Sequence, residues 1–304
     1  METRRALLVD AFTDQPLAGN VAGVVPDAAG LSADQMGRIA AELGASETAF
    51  LVDLGDRDRA DRRIRYFTPT TEVDLCGHAT VASYAALSAA GAIEPGEDLL
   101  RTNVGDLPIE VTEGGRVWMT QDAPSVETVE VDYARLGDAL GIDPAALHDV
   151  GADLPVAVAS TGLPFLIVPV NFLERLGEAD PDERAVEELS EEYDVVGVYA
   201  FTFDALDAES TLHGRAFAPA AGIPEDPVTG TASGACAAYL RAVDAFEGSF
   251  PSTLRLEQGH FVDRPGLVYV RLDAGTVRVG GEAVVSFRGE LSVPPSTEDD
   301  IIEA

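Results

Sequence analysis

The sequence predicts an α+β fold of two similar halves, each a strand-rich shell closed around one buried helix. Three observations carry this reading. Many short apolar runs are bounded by Gly, Pro, Asn and Asp. They do not alternate regularly with helical patterns, which argues against a doubly wound parallel sheet. Two alanine-rich stretches, Ala79 to Ile93 and Pro227 to Leu240, contain no charged residue. A helix that is apolar all round must be buried all round, and both stretches are too short to cross a bilayer. Finally, the surroundings of the two stretches look like copies. Leu75-Cys76-Gly77-His78-Ala79-Thr80 stands opposite Val228-Thr229-Gly230-Thr231-Ala232-Ser233 at an offset of 153. Arg65-Tyr66-Phe67-Thr68-Pro69 stands opposite Arg215-Ala216-Phe217-Ala218-Pro219 at 150, and Ala49-Phe50 opposite Ala200-Phe201 at 151. Three matches in one order at nearly one offset indicate internal duplication. The expected first half is 1–124, rejoined by 286–304, and the second is 125–285.

Along the chain, Ala6–Asp10 reads as the first strand. Ser32 then opens a helix with Gln35 at capping-box spacing, and Gly44 closes it. Thr48–Val52 and Ile64–Phe67 read as strands, and Leu107–Thr112 with Val117–Gln121 as a hairpin over Glu113-Gly114-Gly115. In the second half the strands are Val156–Ser160, Phe165–Val168, Val195–Phe203, Leu254–Glu257, Leu267–Leu272, Val277–Val279 and Ala283–Phe287. Pro181–Tyr193 is an acidic amphipathic helix.

The composition limits what such a fold can do. Asp and Glu number 53 against 20 arginines, with no lysine, for a formal net charge of -33. The absence of lysine excludes Schiff-base and pyridoxal-phosphate chemistry and a lysine-bearing phosphate loop. The acidity argues against nucleic acid and anionic membrane as partners. At 46% hydrophobic residues the chain nevertheless has ample material for a core, so the acids read as a solvated surface. Such a surface suits strong salt, where self-repulsion is screened. A halophilic source is therefore expected, and a melting series that shows no stabilisation from low to molar salt would sink that idea. Cys76 and Cys236 are too few for a disulfide framework. The apolar run after the Met1–Arg5 start is too short for a signal peptide, so a cytoplasmic location is the expectation.

The chemistry is expected at the two helix starts. A helix N-terminus binds anions through its free amides and its dipole. Two such ends facing one cleft would take a small carboxylate-bearing molecule, and Gly77 and Gly230 let a ligand approach the backbone. Pro227 biases Asp226 to an extended conformation, presenting it rigidly beside the second start. There Asp226 could orient an imidazole or contact a substrate, or it could simply cap the helix. His78 lies at the first start, where the dipole favours a neutral imidazole able to shuttle a proton. Its alternative role is capping or packing. Glu47 heads an apolar strand, where partial desolvation suits a general base. In so acidic a chain a lone Glu carries little information by itself. His148, His213 and His260 have no motif context and read as surface or structural; the four histidines show no zinc spacing.

These residues fall in motifs. Val9-Asp10-Ala11-Phe12-Thr13-Asp14-Gln15-Pro16-Leu17-Ala18-Gly19-Asn20, Ser46-Glu47-Thr48-Ala49-Phe50, Arg65–Pro69 with Leu75–Thr80, and Glu225-Asp226-Pro227-Val228-Thr229-Gly230-Thr231-Ala232 follow one another across nearly the whole chain. In order and spacing they resemble the phenazine-biosynthesis PhzF-like family. The resemblance implies the diaminopimelate-epimerase-like fold, two pseudo-symmetric halves with the active site between them. It also implies a homodimer and an isomerase without metal or other cofactor, like the family's phenazine member, which acts on a dihydro-hydroxyanthranilate. By the same resemblance Glu47 moves the proton, His78 and Asp226 assist, and Gly77, Gly230 and Thr231 hold a substrate carboxylate.

One departure separates relatives of this fold. Its epimerase and racemase branches use two cysteines, each just before a helix-start glycine. Here Cys76 fills the first place and Thr229 the second, and a threonine hydroxyl cannot replace a thiol unaided. Cys236 lies inside an apolar helix, where thiols mostly pack. A two-thiol racemase is disfavoured, and Cys76 has either a chemical or a packing role. The leading expectation is a cofactor-independent isomerase. An amino-acid epimerase is the first alternative, and a non-catalytic metabolite- or protein-binding member the second.

Overall fold

The structure, a computed structural model, describes residues 2–55, 59–148, 150, 154–273 and 275–296. The tail 297–304 of the expected first half lies outside them. The chain divides into two compact units, residues 1–119 with 281–304, and residues 120–280. Each is built on the same plan.

In the first unit, α1 (Ala33–Leu43) and α2 (Gly77–Ala89) accompany β1 (Thr3–Ala11), β2 (Asn20–Val25), β3 (Thr48–Asp53), β4 (Arg62–Phe67), β5 (Glu72–Val73), β6 (Gly96–Thr102), β7 (Gly105–Val111), β8 (Val117–Thr120) and the returning β18 (Ala283–Ser292). The sheet runs β18-β1-β2-β3-β4-β6-β7-β8, with β5 added beside β4; β2–β3 and β4–β6 are parallel, the rest antiparallel. The second unit holds β9 (Ser125–Thr128), β10 (Ala157–Ser160), β11 (Pro164–Pro169), β12 (Gly197–Thr202), β13 (Leu212–Ala218), β14 (Ile223–Asp226), β15 (Leu254–Gln258), β16 (Gly266–Asp273) and β17 (Thr276–Gly281). It repeats the pattern as β9-β10-β11-β12-β13-β15-β16-β17, with β14 beside β13 and the parallel pairs β11–β12 and β13–β15 in the equivalent places. Its helices are α3 (Tyr133–Leu140), α4 (Pro144–His148), α5 (Leu173–Gly177), α6 (Glu183–Tyr193) and α7 (Gly230–Ala242).

The two uncharged stretches form α2 and α7, as expected. Every residue from Ala79 to Ala86 and from Ala232 to Leu240 is buried. α2 packs on β1, β2, β3, β7 and β18, and α7 on β9, β10, β11 and β16. Small side chains let the sheets close on the helices. Two hydroxyls buried in α2 are satisfied within the helix: Thr80 Oγ1 donates to the Cys76 carbonyl and Ser83 Oγ to the Ala79 carbonyl, each at 2.7 Å.

The capped helix forms as read: Ser32 Oγ accepts from the Gln35 amide, Gln35 Oε1 accepts from the Ser32 amide at 2.9 Å, and Gly44 ends the helix at φ +66°. The acidic helix starts at Glu183 on an Asp182 cap and ends, as expected, at Tyr193. Strands β2, β5, β6, β9, β13 and β14 and the short helices α3, α4 and α5 were not anticipated. β6 carries Asp98 and β13 carries His213 and Arg215, polar groups whose partners lie elsewhere in the chain. Among the described residues no helix is long and apolar enough to cross a membrane.

One buried acid in the first unit makes pH matter. Asp98 pairs with Arg62 and neighbours Asp61, whose carboxylate accepts from the Leu99 amide at 2.8 Å. Burial raises Asp98 to about 6, helped by the hydrogen bond shared with Asp61 and opposed by Arg62. The Leu99 amide, and then Asp98, hold Asp61 below its ordinary value. The folded state therefore binds the Asp98 proton more tightly than the unfolded chain does. Its contribution is greatest below the ordinary value of 3.8 and is lost as pH rises through about 6. Asp98→Asn should consequently gain stability relative to the parent by about 2 kcal/mol between pH 4 and pH 7. Urea unfolding across that range measures it, and a constant difference would refute it.

Candidate functional site

The expected site residues are gathered in two groups, one in each unit. In the first unit Glu47 stands just before β3, and its carbonyl accepts from the Gly23 amide at 2.9 Å. The register that pairs Thr48 with Phe67 and Phe67 with Glu72 brings this strand end toward the start of α2. There Cys76 is the N-cap residue in extended conformation (φ -141°), and Gly77 and His78 open the helix with no side chain capping them. His78 lies between three groups. Its Nε2 is 3.4 Å from Glu47 Oε2 and 3.5 Å from Ser46 Oγ, and its Nδ1 is 3.5 Å from Cys76 Sγ. Glu47 Oε2 is buried and accepts no hydrogen bond among the described residues. A buried carboxylate oxygen without a donor is costly unless a ligand or water supplies one.

Among the described residues, and apart from its own neighbours in the chain and helix, nothing lies within 4 Å of where a Cβ on Gly77 would stand. Packing therefore does not require this glycine, and open space remains over the uncapped amides of the first turn. Glu47, Cys76 and His78 offer donor atoms within 4.8 Å of one another, so they are also a set that could hold a metal ion.

In the second unit β14 ends on Asp226, the extended position that Pro227 favours. Asp226 Oδ2 accepts from Thr229 Oγ1 at 2.5 Å, so the threonine hydroxyl is committed as a donor. Gln258, at the end of β15, clamps the same turn: its Oε1 accepts from the Thr229 amide at 3.1 Å, and its Nε2 donates to the Asp226 carbonyl at 2.8 Å and to Thr229 Oγ1 at 3.1 Å. Thr229 is the N-cap residue of α7, again without a side-chain cap, and Gly230 and Thr231 open the helix. The Thr231 carbonyl accepts from Thr161 Oγ1 at 3.2 Å.

Both units brace the strand before the helix with the same device. Arg65 grips Glu72 in a bidentate pair at 2.8 and 2.6 Å, and Arg215 grips Glu225 at 2.9 and 2.7 Å. Each guanidinium also lies over the phenylalanine two residues on, Phe67 and Phe217, at 5.1 and 4.9 Å. The duplication thus extends to side-chain geometry.

Two contributors escaped the sequence reading. Ser46 adjoins Glu47 and was available as part of its motif. Gln258 stands 29 residues from Thr229, with no local signal. The remaining histidines separate. His148 stacks on Tyr133 with ring centroids 4.0 Å apart, while His213 and His260 come together, at 4.9 Å. Burial raises the Cys236 thiol well above its ordinary range, in keeping with a packing role.

Known proteins resemble this chain over nearly its whole length. The sequence profile of the phenazine biosynthesis-like protein family matches residues 9–289. An uncharacterized isomerase of Deinococcus radiodurans is 43% identical, over 92% of each chain. The trans-2,3-dihydro-3-hydroxyanthranilate isomerase of Pseudomonas chlororaphis is 31% identical, over 94% of this chain and 98% of its own. Among solved structures, the PhzF-family phenazine biosynthesis protein of Bacillus anthracis superposes with a TM-score of 0.86 at 35% identity, covering 96% of this chain and all of that one. The fold is the expected diaminopimelate-epimerase-like one. The chain belongs to the phenazine biosynthesis-like protein family.

Proposed function

We propose that the protein is a cofactor-independent isomerase that removes a proton from carbon in a small carboxylate metabolite and returns it elsewhere on the same molecule. The observation that carries this is Glu47: a buried carboxylate oxygen with no hydrogen bond among the described residues, 3.4 Å from an imidazole at an uncapped helix start. In this reading Glu47 is the general acid/base and His78 relays or polarises. Gly77, Gly230 and Thr231 offer main-chain amides to the substrate carboxylate, because the chain has no lysine to do so. Asp226, fixed by Thr229 and Gln258, completes the set. The isomerases among its relatives support the reaction class, and the carboxylate in the name of the Pseudomonas chlororaphis enzyme supports the substrate class.

The test is a screen of small amino, hydroxy and cyclic unsaturated carboxylates for carbon-bound deuterium uptake in deuterated buffer at high salt. The expected result is exchange accompanied by a change in double-bond position. Ligands that bind tightly without exchange would indicate a binding protein instead.

A second reading rests on Cys76, whose Sγ is 3.5 Å from His78 Nδ1. A thiol beside an imidazole can exchange an α-proton, as an amino-acid epimerase requires. Deuterium at the α-carbon with loss of optical rotation would favour it. Thr229 makes a poor opposite acid, since its hydroxyl donates to Asp226.

A further inference from the structure

A second polar cluster lies in the second unit, away from both helix starts. Parallel pairing of β13 with β15 sets His213 directly against Glu257. His213 is fully buried and Glu257 is 4% exposed. Glu257 Oε1 accepts from the Asp207 amide at 2.8 Å, and Oε2 accepts from the Leu206 amide at 2.9 Å and lies 3.1 Å from His213 Nδ1. With both Glu257 oxygens turned to these donors, Nδ1 of His213 is the ring nitrogen that faces the carboxylate, and Nε2 is left as the ring's other nitrogen.

That nitrogen has no partner: His213 Nε2 is buried and unbonded among the described residues. The same holds for Nδ1 of His260, in the short 3-10 turn just beyond β15. The two rings are tilted by 50° at 4.9 Å, and no hydrogen bond joins them. Gly259 fixes the approach. Its φ is +84°, and a Cβ there would strike the Arg264 and Pro227 carbonyls at 2.2 and 2.7 Å, so the turn carrying His260 is held by conformation rather than chance. One donor atom from each of His213, Glu257 and His260 lies within 4.8 Å of the others. Two buried imidazole nitrogens without partners, on rings 4.9 Å apart, offer donors to an electrophile, and a carboxylate on the other nitrogen of the first imidazole orients it as outer partners of metal ligands do.

We infer that His213 Nε2 and His260 Nδ1 bind a divalent transition-metal ion of the zinc class, with Glu257 as the outer partner of His213. Imidazole donors suit zinc, nickel, copper and cobalt, whereas magnesium and calcium prefer oxygen. Zinc takes its nitrogens at about 2.0–2.1 Å, and rotation of the partly exposed His260 lets the pair close on the ion while water fills the open side. The ion would staple the turn after β15 to β13. Gln258, the clamp on Asp226 and Thr229, sits two residues before His260, so the staple would steady that turn without entering the chemistry.

The test is titration of the full chain with Zn²⁺ at molar NaCl and excess Mg²⁺, which occupies the surface carboxylates. One tight equivalent and a rise in Tm are expected. His260→Gln, on a partly exposed turn where misfolding is not expected, should weaken binding by more than tenfold, and Glu257→Gln by roughly ten- to a hundredfold. Cobalt should show nitrogen-ligated visible bands in the parent that vanish in His260→Gln. Because Glu47, Cys76 and His78 form another candidate set, a Cys76→Ser/His78→Gln variant is titrated alongside and should keep the equivalent. Binding lost in that variant, or weakened less than tenfold in His260→Gln, would overturn the inference.

Discussion

Glutamine at position 47 is expected to lower the rate of proton transfer by about a thousandfold, within the 10²–10⁴ range of a positioned general base, while the protein melts unchanged. The asymmetry follows from how Glu47 is held. Its main chain is anchored, because its carbonyl accepts from Gly23, but no described hydrogen bond reaches the buried Oε2. Removing the charge therefore loses only the 3.4 Å contact with His78, and the amide fills the same volume. A neutral amide is cheaper to bury than a carboxylate but still leaves a polar group there, so stability should change little. KM should move little, since carboxylate binding is assigned to the helix-start amides. Deuterium uptake into any exchanging substrate, together with a melting curve, measures both halves. Turnover within threefold of the parent would eliminate Glu47 as the base. His78→Asn should cost less, about a hundredfold, because a relay is more easily replaced by water than a base.

Those roles were legible in the sequence to different depths. The buried helices announced themselves, because an uncharged Ala-rich stretch has few other stable fates in a chain carrying 53 acids. The capping box at Ser32 and Gln35 was legible because both partners lie within one turn. Glu47 was readable only through the resemblance. Position gives a lone glutamate no distinction, and its isolation from donors is a property of packing. The unread strands show the same limit. β13 contains a buried His213 and a buried Arg215, which in a linear reading break an apolar strand. Their partners, Glu257 and Glu225, are 44 and 10 residues away and arrive only through sheet register. Linear spacing likewise suggested that the histidines were scattered, whereas parallel pairing of β13 with β15 converges two of them. Duplication was the exception among long-range features, since it writes one set of contacts twice at a near-constant offset.

That duplication yields a paired prediction about stability. Arg215 and Arg65 occupy equivalent places and grip equivalent glutamates, yet their surroundings differ. The Arg215 side chain is 7% exposed, and its Nη1 also donates to the Leu176 and Ala179 carbonyls at 3.0 and 2.9 Å. The Arg65 side chain is 22% exposed and its partner Glu72 29%, so water screens that pair. Arg215→Leu would strand the Glu225 carboxylate and two carbonyls, and should cost about 3–5 kcal/mol. Arg65→Leu should cost about 1 kcal/mol, as a part-exposed ion pair does. Adding Glu225→Gln to Arg215→Leu should recover part of the loss, because it removes the uncompensated charge. Denaturant unfolding in molar salt reads these values. The single tryptophan, Trp118, is fully buried in the first unit, so its fluorescence follows that unit, while circular dichroism follows the whole chain. Equal losses at the two arginines would mean that burial does not set the strength of this repeated pair, and that the bracing of Asp226 in the second unit owes nothing special to Arg215.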